Sequence, residues 1–262
     1  MLKIALTIAG SDPSGGAGIQ ADLKTFSQLR VYGMAVIAAL TAQNTRGVFG
    51  VAEIEPDFLE QQLDAVLSDI PPGSAKTGML LSTRSVEVVA QKLHEYRVRN
   101  VVVDPVMVST SGARLLTSEA IQSFRRLLLP LACVITPNLD EARELTGKPV
   151  DNIEDMEEAA LRIHGMGAVN VLIKGGHGRS EEVTDVLFDG EEFVHLRCPR
   201  IDARHTHGTG CVLSAAITAH LALGRSVREA VGLSKDLVTA AIRNGLGIGS
   251  GIGPCDPLSL GC

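Results

Sequence analysis

The chain encodes an α/β fold, a mainly parallel sheet covered by helices on both faces, and three observations predict it. Short β-branched or apolar runs alternate with stretches of helical period. The segments between successive runs are long enough to carry crossover helices. Polar and glycine residues gather where the strand-like runs end, the edge at which an open parallel sheet holds its ligand.

Taken in order, the first run is Leu2 to Ile8; the apolar part before Gly10, Asp12 and Pro13 is too short for a signal-peptide core, so it reads as a strand. A helix follows, with Ile19, Leu23, Phe26 and Leu29 on one face. Val36 to Thr41 is the second strand, and Phe58, Leu59, Leu63, Val66 and Leu67 mark the next helix. Further strands are predicted at Ala75 to Met79, Asn100 to Asp104, Cys133 to Thr136 and Asn170 to Lys174, with a charged helix over Asp155 to His164. Val183 to Leu187 and Glu192 to Leu196, joined through Asp189-Gly190, predict a small hairpin at the sheet edge. From Gly208 onward two long helices close the chain, the first an apolar-periodic stretch from Val212 to Leu223. No internal repeat or linker interrupts this pattern, so residues 1–262 read as one domain.

Composition narrows the function. With 262 residues and 45% apolar content the chain can bury a core without staples, which excludes disordered and fibrous classes. Its 24 Lys+Arg against 30 Asp+Glu give a net charge of −6, and two Tyr, six Phe and no Trp leave few rings for base stacking, so no nucleic-acid partner is expected. Five cysteines with no C-x-x-C fit neither a disulfide framework nor a thiolate zinc site. No run approaches the ~20 apolar residues of a membrane span. A cytoplasmic protein without a membrane partner is expected.

The predicted strand ends run into Gly10-Ser11-Asp12, Thr41-Ala42-Gln43-Asn44, Gly78-Met79, Asp104-Pro105-Val106, Thr136-Pro137-Asn138 and Lys174-Gly175-Gly176-His177. Gly16-Ala17-Gly18-Ile19-Gln20-Ala21 matches the G-x-G-x-x-A dinucleotide fingerprint, but that fold wants an acidic residue about 20 positions on to hold the ribose. Here the second strand ends in Thr41-Ala42-Gln43-Asn44 and the next acid is Glu53, so a dehydrogenase is disfavoured. No G-x-x-x-x-G-K-[ST] is present. The better phosphate site is Thr206-His207-Gly208-Thr209-Gly210-Cys211, a glycine-rich turn at a helix start whose free N–H groups and dipole suit a phosphoryl group.

These strand-end segments, together with Ala9-Gly10-Ser11-Asp12-Pro13-Ser14-Gly15-Gly16-Ala17-Gly18-Ile19-Gln20-Ala21-Asp22, resemble in order and spacing the hydroxymethylpyrimidine/phosphomethylpyrimidine kinases of thiamine biosynthesis. The resemblance covers nearly the whole chain. It implies a ribokinase-like three-layer α/β/α sandwich and two successive phosphorylations of 4-amino-5-hydroxymethyl-2-methylpyrimidine, with ATP and Mg²⁺ as cofactors and a homodimer as the assembly. Gln43 would read the aminopyrimidine through its amide, with Asp22, Gly10, Met79 and Val106 completing the pocket. Lys174, Asn138, His207 and Thr209 would meet ATP, and Glu141 and Asp104 would face Mg²⁺. The amides of Gly208, Thr209 and Gly210 would form the anion hole.

Cys211 would be the base, standing where ribokinase-like sugar kinases place an Asp. A thiol at a helix N-terminus is expected to have a lowered pKa. From the residues alone, other readings stand beside these: Asn138 as a helix N-cap, Met79 and Val106 as core, Cys211 as a buried thiol and Gln43 as a solvated loop amide. His205-Thr206-His207 makes a poor metal site and is read as a loop over ATP. The sequence departs from the resembled pattern at His205, where Asn is commoner, and in the tail Gly253-Pro254-Cys255-Asp256-Pro257. A pyridoxal or pyridoxine kinase, or a non-catalytic sensor on the same fold, is the alternative.

Overall fold

A computed structural model describes residues 2–107, 117–176 and 181–259. His177 and Cys262 lie outside the described residues. In chain order the elements are β1 (Ile4–Ser11), α1 (Gly18–Gln28), β2 (Tyr32–Asn44), β3 (Gly47–Glu53), α2 (Pro56–Leu67), β4 (Ser74–Thr77), α3 (Thr83–Glu95) and β5 (Val101–Val103). Then follow α4 (Ser118–Ser123), continued by single turns to Leu131, and β6 (Ala132–Ile135), α5 (Leu139–Thr146), α6 (Ile153–His164) and β7 (Asn170–Ile173). The hairpin β8 (Glu182–Phe188) and β9 (Phe193–Pro199) leads to α7 (Thr209–Ala222) and α8 (Val227–Arg243).

The strands form one sheet in the order β3-β2-β1-β4-β5-β6-β7-β8-β9. From β2 to β7 all neighbours are parallel, while β3 at one edge and the hairpin at the other are antiparallel. One face buries Leu59, Leu63, Val89, Leu128 and Leu145 from α2 to α5 against the strands, and the other buries α1, α7 and α8. The α/β/α layering expected from the sequence is therefore present, with the predicted edge hairpin.

Three features differ from the expectation. The second strand is much longer than Val36 to Thr41, and β3 pairs with its end. Helices α3 and α4 occupy stretches in which no helix was predicted. Helix α7 is not amphipathic: every residue from Val212 to Ala222 is buried, because it is wedged between α1, α8 and the sheet.

The strand order also locates the functional edge. The chain leaves β1 for β2 on one side and returns to β4 on the other, so the connection reverses direction between β1 and β4. A ligand crevice opens beyond the carboxyl ends at such a reversal. The register of β1 against β2 shifts between Ala9 and Gly10, and that of β2 against β3 shifts between Ala42 and Gln43. Such irregularities turn side chains away from the regular pleat.

Candidate active site

Near the end of β1, Gly10 lies against the methyl of Met79, which stands just beyond β4. Gln43 is half-buried at the end of β2, and an open cleft of about 280 Å³ lined by Ser14, Asn44, Arg46 and Pro254 adjoins it. Val106 is half-buried just beyond β5. Four of the predicted pocket residues thus stand at one sheet edge. The fifth, Asp22, does not line an opening: its side chain is fully buried, with Oδ1 2.8 Å from Lys76 Nζ and Oδ2 accepting from Thr7 Oγ1 at 2.6 Å. In the structure Asp22, expected in the pocket, holds the buried Lys76 ammonium.

A second cluster joins β5, α5, β7 and α7. Asp104, buried at the end of β5, accepts from Thr136 Oγ1 and Lys174 Nζ at 3.2 Å each and from Ser214 Oγ at 3.0 Å. Lys174 Nζ lies 3.8 Å from Glu141 Oε2. A capping box starts α5: Asn138 Oδ1 accepts the Glu141 N–H at 2.9 Å and Glu141 Oε2 accepts the Asn138 N–H at 2.8 Å. The helix-cap reading of Asn138 is thus realised, and its carbonyl is committed to the helix. Burial pushes the Glu141 carboxyl up to about 7, with Asp104 adding to the rise and Lys174 opposing it.

The glycine-rich turn runs directly into α7. Gly208 has φ +80, and a Cβ there would sit 1.8 Å from the Gly16 carbonyl oxygen, so both the turn and the close approach require glycine. A Cβ on Gly210 would meet Lys174 Nζ at 3.6 Å, which sets the start of α7 beside the lysine of the Asp104–Glu141 cluster. The Thr209 N–H donates to the Thr206 carbonyl at 3.3 Å; a glycine-rich helix start with a lysine beside it suits a phosphoryl group.

His207 is expected at ATP; in the structure its Nε2 lies 2.9 Å from Asp12 Oδ2 and 3.2 Å from Gln43 Nε2, which sets its ring beside Gln43. Neither Asp12 nor Lys76 was singled out from the sequence. Lys76 sits inside an apolar strand run, and its partner is 54 positions away. His205 braces the tail, accepting the Gly253 N–H at Nδ1. Among the described residues no group of three or more metal-ligating side chains is present.

Cys211 is half-buried at the first turn of α7, but the direction expected for its pKa is reversed. Burial pushes the thiol up to about 12; Lys76 works to lower it, while Asp22 and Asp104 add to the rise. Removal of the sulfur from water outweighs the helix dipole and the lysine. Alkylation of Cys211 by iodoacetamide, followed on its tryptic peptide, should therefore quicken about tenfold per pH unit with no plateau up to pH ~10. A plateau near pH ~7 would show that the lysine prevails.

A family model described as phosphomethylpyrimidine kinase matches residues 12–256. A hydroxymethylpyrimidine/phosphomethylpyrimidine kinase of Bacillus subtilis is 49% identical over 251 residues, covering 95% of this chain and 93% of that protein. A thiamine biosynthesis bifunctional protein of Geobacter sulfurreducens is 52% identical over 95% of this chain, which spans only 51% of that longer protein. The crystal structure of an ADP complex of Bacillus subtilis pyridoxal kinase superposes with a TM-score of 0.92 at 42% identity, covering 99% of this chain and 98% of that one.

Proposed function

The chain belongs to the phosphomethylpyrimidine kinase family, and from that premise we propose how its residues carry two ATP-dependent phosphorylations, of hydroxymethylpyrimidine and then of its monophosphate. The fold is ribokinase-like and the enzyme is a phosphotransferase of thiamine biosynthesis. The observation that carries the residue-level reading is the convergence of Lys174, the Gly208-to-Cys211 turn and Gln43 at one sheet edge. Phosphoryl transfer asks a protein mainly for positioning and for charge placed where it develops.

In this reading the ring lies over Gly10, Met79 and Val106, with its hydroxymethyl group toward Cys211. Lys174 and the amides of Gly208, Thr209 and Gly210 receive the transferred phosphoryl, and Thr209 and Asn138 border the nucleotide. Two carboxylates, Asp104 and Glu141, offer hard oxygen donors without a closed cage, which fits Mg²⁺ held largely by phosphate oxygens and water. When bound, Mg²⁺ neutralises charge on the phosphates.

Magnitude decides the part played by Cys211. A thiol at about 12 is protonated at neutral pH, so as a base it acts only through the small thiolate fraction that Lys76 favours. The larger share of the rate enhancement comes from Lys174 and the amides.

Four unpaired cysteines among the described residues fit a reducing compartment, and we place the enzyme in the cytoplasm as one kinase domain. No helix among the described residues is long and apolar enough to cross a membrane. For a homodimer, exposed Phe49 and Val51 on the edge strand β3 offer apolar side chains.

A coupled ADP-release assay offering hydroxymethylpyrimidine, its monophosphate and pyridoxal tests the reading. Turnover is expected on both pyrimidines at kcat/KM at least tenfold above pyridoxal, one well-placed hydrogen bond being worth about that factor. Turnover on pyridoxal alone would make the chain a pyridoxal kinase, the activity of its structural relative.

A further inference from the structure

At the end of β2 the Gln43 amide is held from two sides. One amide position, Nε2, lies 3.2 Å from His207 Nε2, and the same ring nitrogen lies 2.9 Å from Asp12 Oδ2. The other, Oε1, lies 3.3 Å from Thr41 Oγ1, whose hydroxyl donates to the Ser11 carbonyl at 2.9 Å. Counting protons along this chain leaves one arrangement. Burial raises the Asp12 carboxyl, but hydrogen bonds from His207 and Ser14 outweigh it and hold the group below the ordinary range, so Asp12 is an ionised acceptor. The hydrogen between Asp12 and His207 therefore belongs to His207 Nε2.

A ring N–H accepts nothing. The amide group that faces it must then be the carbonyl, sharing that hydrogen, and the amino group must face Thr41 Oγ1, whose own hydrogen is committed to Ser11. Oxygen and nitrogen of an amide are assigned from the surrounding network in this way. In that orientation each of these donors meets an acceptor.

The lock is rigid. Asp12 and His207 are 3% and 7% exposed. Asp12 Oδ1 accepts from the Ser14 N–H and hydroxyl, and Oδ2 accepts the Ala17 N–H at 2.9 Å. The His207 N–H donates to the Gly253 carbonyl, and the His207 carbonyl accepts from the Cys255 N–H. A Cβ at Gly16 would meet His207 Cδ2 at 2.6 Å, so the ring is pressed against the β1–α1 loop. The tail that departs from the resembled pattern is thus the brace behind this histidine.

We propose that Asp12 and His207 are positioning residues that fix the orientation of the Gln43 amide, and so select a heteroaromatic ring bearing an amino donor beside a ring-nitrogen acceptor in the matching order. The inference rests on the reading of Gln43 as the group that meets the ring. An amide at the end of a two-fold torsion turns over readily when nothing holds it, and the reversed amide sets donor against donor. Losing the lock should therefore weaken recognition of an aminopyrimidine while sparing a ring without the amino group.

The test compares 4-amino-5-hydroxymethyl-2-methylpyrimidine with its deamino analogue, measuring kcat and KM at saturating MgATP for the wild type, Gln43→Ala, His207→Asn and His207→Gln. His207→Asn, whose amide falls short of Asp12, should raise KM for the amino ring about tenfold more than for the deamino ring, with kcat less affected. His207→Gln, whose Nε2 falls near the imidazole Nε2, should recover most of that discrimination. Equal losses on both rings in His207→Asn, or wild-type discrimination in it while Gln43→Ala has lost discrimination, would overturn the lock. Wild-type discrimination in Gln43→Ala would instead overturn the reading of Gln43 itself.

Discussion

Asp22→Ala is expected to lower the unfolding free energy by about 3–5 kcal/mol, because it strands the Lys76 ammonium in the core. Both side chains are fully buried. Burial works to lower the lysine, but the carboxylates of Asp22 and Asp104 outweigh it and hold the ammonium above the ordinary lysine range. Among the described residues Asp22 is its hydrogen-bond partner. Removing the carboxylate therefore removes both the counter-charge and the acceptor. The urea midpoint should fall with little change in slope, and Asp22→Leu combined with Lys76→Met should recover most of the loss, since an apolar pair of similar volume carries no desolvation cost. A cost under about 1 kcal/mol for Asp22→Ala, the level of an exposed pair, would show that the lysine finds another partner or loses its proton.

That pair also marks the limit of what the sequence discloses. The strand ends at Gly10, Gln43, Asp104 and Lys174 were legible, because an apolar run followed by polar residues signals both a parallel strand and the edge that binds ligand. Lys76 was not, since a lysine within the run Ala75 to Met79 reads as surface until Asp22 is brought beneath it. His207 was assigned by its neighbours in the glycine-rich turn, whereas its partner Asp12 lies 195 positions away. For Cys211 the helix start was readable and the burial was not, and burial decides the direction of its pKa. Strand β3 was missed because it is exposed along most of its length and leaves no buried stripe in the sequence.

Lys174→Met should be the most damaging substitution for turnover. Its ammonium lies beside Gly210 and between Asp104 and Glu141, at 3.2 and 3.8 Å, and is 16% exposed. A charge already fixed where the phosphoryl group accumulates negative charge is worth about 10²–10³ in kcat, or roughly 3–4 kcal/mol. The KM for the pyrimidine should change much less, because Lys174 contacts Asp104 and Glu141 whereas Gln43 contacts Thr41 and His207. Lys174→Arg should restore little, as a planar fork cannot replace a compact ammonium between two carboxylates. A variant with normal kcat and a raised KM for ATP would reduce Lys174 to a ground-state contact.

The most direct test of the account follows the phosphorus atoms themselves. Phosphorus NMR of the wild-type protein with hydroxymethylpyrimidine and excess MgATP should show a monophosphate ester resonance rising first. A pair of coupled diphosphate resonances should then grow at its expense while ADP accumulates. Accumulation of monophosphate with no diphosphate, or consumption of ATP with neither product, would contradict the claim that this one site performs both transfers.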